Sequence, residues 1–120
     1  MSPRSPITTH ILDTSRGKPA ANLAIHLEIR ISETEWKSLK HSKTNAEGRA
    51  EDLLSPEMSA QPGIYRLTFD TASYYQLHGV PSFYPSVTVI FKIIETSKPN
   101  EHYHVPLLLS PYGYSTYRGA

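Results

Sequence analysis

The sequence predicts a mostly β domain built as a sandwich of short strands. Apolar and polar residues alternate from Leu23 to Ile31, which is the period of a half-buried strand. The same alternation returns over residues 65–69 and 87–93. In addition, 10 prolines are scattered along the 120 residues, which favours many short elements over long helices.

Strand candidates follow one another along the chain, separated by turn residues. In order, they cover residues 7–12, 23–31, 34–43, 48–53, 65–69, 87–93, 102–109 and 112–118. Short segments that contain glycine, proline or asparagine mark connections at 17–19, 45–48, 61–63 and 110–111. These eight short strands are typical of a two-sheet sandwich.

One short helix is predicted at about residues 71–78. Asp70 or Thr71 supplies an N-cap side chain, and Gly79 closes the helix. Pro81 then prevents its continuation. We therefore expect about two turns of helix between two of the strands.

The apolar residues of two strands indicate which faces are buried. In the strand 23–31 the predicted core face is formed by the odd positions, Leu23, Ile25, Leu27, Ile29 and Ile31. In the strand 87–93 it is formed by Val87, Val89, Phe91 and Ile93. Ile90 and Ile94 make this second strand apolar on both faces. Its outer face is expected to meet another subunit, and a covering loop is the alternative.

The composition excludes several classes of site. The chain has no cysteine, so disulfides, zinc thiolate sites and a cysteine nucleophile are excluded. A net charge of +1, from 12 basic and 11 acidic residues, gives no electrostatic reason to expect nucleic acid or a membrane as partner. The chemistry must therefore come from histidine, arginine, hydroxyl or carboxylate groups.

The chain reads as a single domain over residues 7–120 after a short extension at 1–6. No apolar stretch approaches the roughly 18 to 20 residues that span a bilayer, and residues 1–9 lack the apolar core of a signal peptide. We expect a soluble protein of the cytoplasm. The peroxisome is the alternative, although the last three residues are not Ser-Lys-Leu.

Strand phasing places three histidines on outward faces. Ile7, Thr9 and Ile11 share one face of the first strand, so His10 points away from the core. In the strand 102–109 the predicted core face is Tyr103, Val105, Leu107 and Leu109, which leaves His102 and His104 together on the other face. Such histidines suit either metal binding or acid–base work on water. Acid–base work also needs a cation for the developing oxyanion, and Arg49 and Arg118 are the candidates.

Four ordered segments resemble the transthyretin-like family of 5-hydroxyisourate hydrolases. They are 9–15 with 17–20, the turn 44–49, Phe83-Tyr84-Pro85, and 102–119 with its Tyr117-Arg118-Gly119 ending. Two positions depart from the family pattern. Glu47 stands where aspartate is common, and Ala120 stands where the family has serine.

The resemblance implies a sandwich of two four-stranded sheets with one short helix, assembled as a homotetramer with sites in a central channel. It implies hydrolysis of 5-hydroxyisourate to 2-oxo-4-hydroxy-4-carboxy-5-ureidoimidazoline, without a cofactor or metal. The implied catalytic residues are His10, Arg49, His104 and Arg118. The implied substrate-binding residues are His10, Arg49, Tyr117, Arg118 and Gly119.

In the implied mechanism, His104, with or without His10, activates water, and the arginines hold the anionic ring. Tyr117 contributes a hydrogen bond or a flat contact. Two other functions compete with hydrolysis. A small-molecule carrier of transthyretin type shares the fold, but it lacks the paired histidines combined with this C-terminal segment. A metal-binding structural protein explains the histidines and leaves Arg49 and Arg118 without a role.

Overall fold

A computed structural model describes residues 5–57, 60–94 and 101–120. Within these ranges the chain forms nine strands and one helix. The elements are β1 (Ile7–Asp13), β2 (Lys18–Pro19), β3 (Ala24–Arg30), β4 (Trp36–Lys43), β5 (Arg49–Ala50), β6 (Gly63–Phe69), α1 (Thr71–Leu77), β7 (Val87–Ile93), β8 (Tyr103–Ser110) and β9 (Gly113–Thr116). The predicted mostly β fold with one short helix is confirmed, and none of the described helices is long and apolar enough to cross a membrane.

The strands form two sheets. One has four strands in the order β4-β3-β6-β7, and the other has the order β2-β1-β8-β9 with β5 also paired to β1. We predicted four strands in each sheet, whereas the second sheet has five. The additional strand is β2, which sequence patterning read as a turn. It forms because the chain reverses at Gly17, whose φ is 64°, and then pairs Leu12 with Pro19.

The core lies between the two sheets and follows the predicted phasing closely. Ile7 and Ile11 of β1 and Leu107 of β8 are fully buried, and so is Leu27 of β3. Ile31 is an error in the predicted core face, because it is 60% exposed. β3 ends at Arg30, and the backbone of residues 31–35 turns toward β4, so the strand alternation no longer applies at Ile31.

Helix α1 packs on the end of β1 through a buried carboxylate. The Asp70 side chain caps the helix by accepting from the backbone N–H of Ser73 at 3.2 Å. Tyr74 and Tyr75 are buried, and their hydroxyls donate to Asp13 at 2.8 and 3.3 Å. The helix is thus tied to the last inward-facing residue of β1.

Parallel pairing of β1 with β8 determines which outward residues are neighbours. Thr8 lies opposite His104, and His10 lies opposite Pro106. On the other side of β1, the antiparallel strand β5 places Arg49 opposite His10. One sheet face therefore carries the histidines and one of the arginines that the sequence singled out.

Candidate active site

The outward faces of β1 and β8 form a polar cluster on the five-stranded sheet. Because side chains alternate along a strand, Thr8 and His10 share this face of β1. His104 lies beside Thr8, and ordinary sheet spacing puts its Cα about 8 Å from that of His10. The two predicted catalytic histidines therefore stand close enough to contact one small ligand.

Thr8 links the two histidines of the C-terminal strand. Its hydroxyl oxygen lies 2.8 Å from Nε2 of His102 and 2.8 Å from Nδ1 of His104. The two imidazole rings have centroids 6.0 Å apart and are nearly parallel, at 24°. The Thr8 contact with Nδ1 orients the His104 ring so that Nε2 is its distal nitrogen.

His10 is held as a neutral imidazole. Burial is the main cause of its lowered pKa, and the neighbouring Arg49 guanidinium lowers that pKa further. A hydrogen bond with the backbone of Glu47, together with the charges of Glu47 and Glu51, opposes this shift without cancelling it. His10 is thus able to accept a proton or a hydrogen bond at neutral pH.

The turn before β5 places Arg49. The Asn45 side chain accepts from the backbone N–H groups of Glu47 and Arg49, at 2.9 and 3.0 Å. Gly48 has a φ of 75°, and a Cβ there would lie 2.6 Å from the carbonyl oxygen of Ile11. Only glycine fits such a position, so the chain packs against β1 and delivers Arg49 next to His10.

The C-terminal segment continues along β8 beyond β9. The backbone N–H of Gly119 donates to the carbonyl of His104 at 2.8 Å. A Cβ at Gly119 would lie 2.7 Å from Cδ2 of His104 and 3.2 Å from Cγ of Pro106. Gly119 therefore packs its backbone directly against the His104 ring.

Arg118 is directed toward a different surface. Its guanidinium contacts Oε1 of Glu101 at 3.1 Å and lies 5.0 Å from the centre of the Tyr103 ring. The side chain of Arg118 is 61% exposed. It borders a cavity of about 520 Å³ between the edges of β7 and β9, a size suited to a small molecule. The residues that line this cavity are Val89, Ile90, Phe91, Lys92, Ile94, Glu101, Tyr103, His104, Val105, Thr116, Tyr117 and Arg118.

The predicted site residues thus fall into two adjoining groups. His10, Arg49, His104 and Gly119 gather on the outer face of the five-stranded sheet. Tyr117 and Arg118 line the cavity, and His104 also borders it. Sequence reasoning missed Thr8 and Glu101. For Thr8 a signal existed, since it shares the outward phase of His10.

The described parts of the chain hold no group of three or more histidine, cysteine or acidic residues arranged to bind a metal ion. His102 and His104 instead share the hydroxyl of Thr8. The shared hydroxyl fixes the orientation of both imidazoles, as acid–base chemistry requires.

Comparison with known proteins bears on the same residues. The sequence model of the HIUase/Transthyretin family matches residues 7–119, which include every site residue named above. The chain belongs to this family. It is 46% identical over 117 residues to mouse 5-hydroxyisourate hydrolase, covering 97% of this chain and 96% of the mouse protein.

Similar solved structures include a 5-hydroxyisourate hydrolase and a transthyretin with bound thyroxine. The 5-hydroxyisourate hydrolase of Klebsiella pneumoniae superposes with a TM-score of 0.81 at 32% identity, covering 95% of this chain and 97% of that one. Sea bream transthyretin, solved in complex with thyroxine, superposes with a TM-score of 0.86 at 29% identity, covering 97% and 96%. Because both proteins share the fold, a difference in their functions must come from the residues of the site.

Proposed function

We propose that this protein is a hydrolase that opens the ring of 5-hydroxyisourate in urate degradation. The observation that carries the proposal is the cluster on the outer sheet face, where His104 is anchored by Thr8 and neutral His10 lies beside Arg49. The full-length similarity to the mouse hydrolase supports the same activity. A carrier has no need for such a combination of an oriented imidazole and an adjacent guanidinium.

The proposed reaction uses water as the nucleophile. The distal nitrogen of His104 takes a proton from water as the water oxygen bonds to the ring carbonyl carbon. When the carbon–nitrogen bond of the cyclic amide breaks, His104 returns that proton to the leaving nitrogen. The second proton of the water stays on the new carboxyl group, which releases it to solvent. The products are therefore a carboxylate, a free N–H and one proton, formed without a covalent enzyme intermediate.

The arginines and His10 complete the proposed site. Arg49 stabilises the oxyanion, since its guanidinium presents several N–H donors to oxygen. His10 orients the substrate or shares the acid–base role. Arg118, Tyr117 and Gly119 bind the anionic ring from the C-terminal segment, and Arg118 then exchanges its contact with Glu101 for one with the substrate.

We also propose that the protein assembles as a homotetramer. β7 and β9 are edge strands of their sheets, and such edges are templates for pairing with another copy. Ile90 and Ile94 are 61% and 65% exposed beside these edges. Assembly would cover this apolar surface and bring the two groups of site residues from neighbouring subunits together.

A spectrophotometric assay with freshly generated 5-hydroxyisourate tests the activity. The decay of substrate absorbance should be much faster with protein than without it, and His104→Ala and Arg118→Ala should each slow it. His41→Ala and Arg30→Ala are matched controls, because both residues are exposed on the other sheet. A decay rate with the unsubstituted protein equal to that of buffer would reject the proposal.

Sedimentation tests the assembly. A species of four chains is expected, and Ile90→Asp should shift it toward smaller species, since it places a charge on the exposed edge of β7. A monomer at all protein concentrations would contradict a site shared between subunits.

A further inference from the structure

One oxygen couples two histidines in this protein. A threonine hydroxyl has a single hydrogen to donate and lone pairs with which to accept. Because Thr8 Oγ1 lies 2.8 Å from both His102 Nε2 and His104 Nδ1, it can donate to only one of them. The other ring must present an N–H to Thr8. The positions of the protons on the two imidazoles are therefore linked.

The linking oxygen is in a rigid and shielded place. Thr8 is 2% exposed, and both its neighbours on β1, Ile7 and Thr9, are fully buried. Thr9 also donates its hydroxyl to the carbonyl of Val105 at 2.6 Å, which holds β1 against β8. A hydrogen bond in such a place is electrostatically stronger than one in water. Thr8 is thus well suited to control the rings beside it.

We propose that Thr8 and His102 are positioning residues that set the tautomer of His104 for the hydrolysis proposed above. His104 holds its neutral-state proton on Nδ1 and donates it to Thr8, while the Thr8 hydroxyl donates to Nε2 of His102. Nε2 of His104 is then the nitrogen that carries a lone pair. The inference rests on the proposed function. It adds Thr8, which contacts His104 directly, and His102, which acts on His104 through Thr8.

This arrangement explains how the protein stabilises the positive charge that His104 gains during the reaction. When Nε2 of His104 takes the proton of water, the ring becomes an imidazolium whose Nδ1–H points at Thr8. The chain from His104 through Thr8 to His102 stabilises this charge, as an oriented acceptor does behind the histidine of a serine hydrolase. The proton later returns from Nε2 to the leaving nitrogen, so the Nδ1 proton stays in place throughout.

Kinetics of paired variants test the inference. Thr8→Val removes the hydroxyl at nearly constant volume and should lower kcat with little change in KM. We expect a loss of about 10 to 100-fold, by analogy with the hydrogen-bond partners that orient metal-ligating imidazoles. Thr8→Ser retains the hydroxyl and should keep kcat near its original value. His102→Leu should act like Thr8→Val, whereas His102→Gln keeps an acceptor for Thr8 and should retain most of the rate.

Two controls accompany these variants. Thr68→Val makes the same substitution on the other sheet and should leave kcat unchanged. Thermal unfolding of each variant separates a loss of kcat from a loss of folded protein. An unchanged kcat in Thr8→Val, or an equal loss in Thr8→Ser, would overturn the inference.

The tautomer itself is measurable without substrate. Nitrogen-15 NMR of the imidazoles should show neutral His104 with its proton on Nδ1 in the unsubstituted protein, and a loss of that preference in Thr8→Val. A proton on Nε2 in the unsubstituted protein would reject the inference even if hydrolysis is observed. Conversely, an Nδ1 proton in a protein that does not hydrolyse 5-hydroxyisourate would reject the proposed function and leave the tautomer assignment standing.

Discussion

β1 carries two polar clusters that differ in how completely the protein satisfies them. At its end, inward-facing Asp13 is fully buried and accepts hydrogen bonds from Ser15, Tyr74 and Tyr75. Three positions earlier, and therefore on the opposite face of the strand, is His10, which is half-buried beside Arg49. The Asp13 cluster uses its hydrogen-bonding groups within the fold, whereas we propose that the His10 cluster uses its groups to bind substrate.

The difference is physical in origin. A buried carboxylate is costly unless several donors compensate for lost water, and the donors around Asp13 outweigh its burial and lower its pKa. Burial also disfavours the charged form of His10, and there the contacts that oppose it do not outweigh it, so the pKa is lowered and the ring stays neutral. The same strand therefore contributes to stability on one face and, in the proposed function, to chemistry on the other.

The largest expected effect is on activity, through the cluster around His10. His10→Gln should lower kcat/KM by about 10² to 10⁴-fold, because it removes a group that accepts protons in the site. Its free energy of unfolding should change by less than about 0.5 kcal/mol, as for other partly exposed positions. Steady-state kinetics and urea unfolding measure the two quantities.

His41→Gln is the control for that substitution and should change neither quantity. Full kcat/KM in the His10→Gln protein would contradict a role of His10 in the proposed active site.

The next largest effect is on the free energy of unfolding, through the cluster around Asp13. Asp13→Ala should lower the free energy of unfolding by about 3 kcal/mol, because it leaves the buried hydroxyls of Tyr74 and Tyr75 without their acceptor. The kcat of the folded fraction should be unchanged. Asp52→Ala provides a matched control, since Asp52 is exposed and its carboxylate accepts from the hydroxyl of Ser42 at 2.7 Å.

Urea unfolding monitored by tyrosine fluorescence measures this change. A loss no larger than that of Asp52→Ala would mean that the Asp13 cluster does not stabilise the fold.

The contribution of Asp13 should also depend on pH in a definite direction. Its pKa in the folded state lies below the ordinary value of 3.8. The unfolded chain therefore binds the proton first, and the stabilisation is complete above that value and lost as the pH falls below it. Tyr74→Phe should cost about 1 to 3 kcal/mol at neutral pH, and this difference should shrink in acid. A difference that persists unchanged at pH 2 would show that the bond does not need the ionised carboxylate.

The smallest expected effect is a change in the pKa of His10. Arg49→Gln should raise the pKa of His10, since the guanidinium is one of the two causes that lower it. Proton NMR titration of the imidazole resonances measures the shift. Arg30→Gln, an exposed change on the other sheet, should leave the His10 pKa where it is. A downward shift in Arg49→Gln would contradict the assigned proximity.

Local patterns in the sequence accounted for most of the fold. Alternation predicted the strands because one side of each faces the core, and Asp70 with Gly79 predicted the bounds of α1 to within one residue. The alternation pattern failed where the local structure depends on a turn that brings the chain back against another strand. β2 has no strand pattern of its own, and it exists because β1 offers free backbone groups beside it. Ile31 looked like the next core residue until the chain turned.

The candidate site was predictable in its components and not in its arrangement. Outward phasing and the family resemblance named His10, Arg49, His104 and the C-terminal segment. Neither indicated that Arg118 lies over Tyr103 and contacts Glu101, because that orientation depends on packing at the sandwich edge.

The sequence by itself determined which face of each strand is buried and which side chains are left for chemistry, since both follow from a two-residue period. Only the tertiary structure decided which of those side chains meet. Thr8 contacts residues 94 and 96 positions away through the parallel register of β1 with β8. The alternation along each strand excludes a register shift of one residue, because that shift would put Thr8 beside a core-facing neighbour. It does not choose between registers that differ by two residues, so the folded chain decides that Thr8 meets His104.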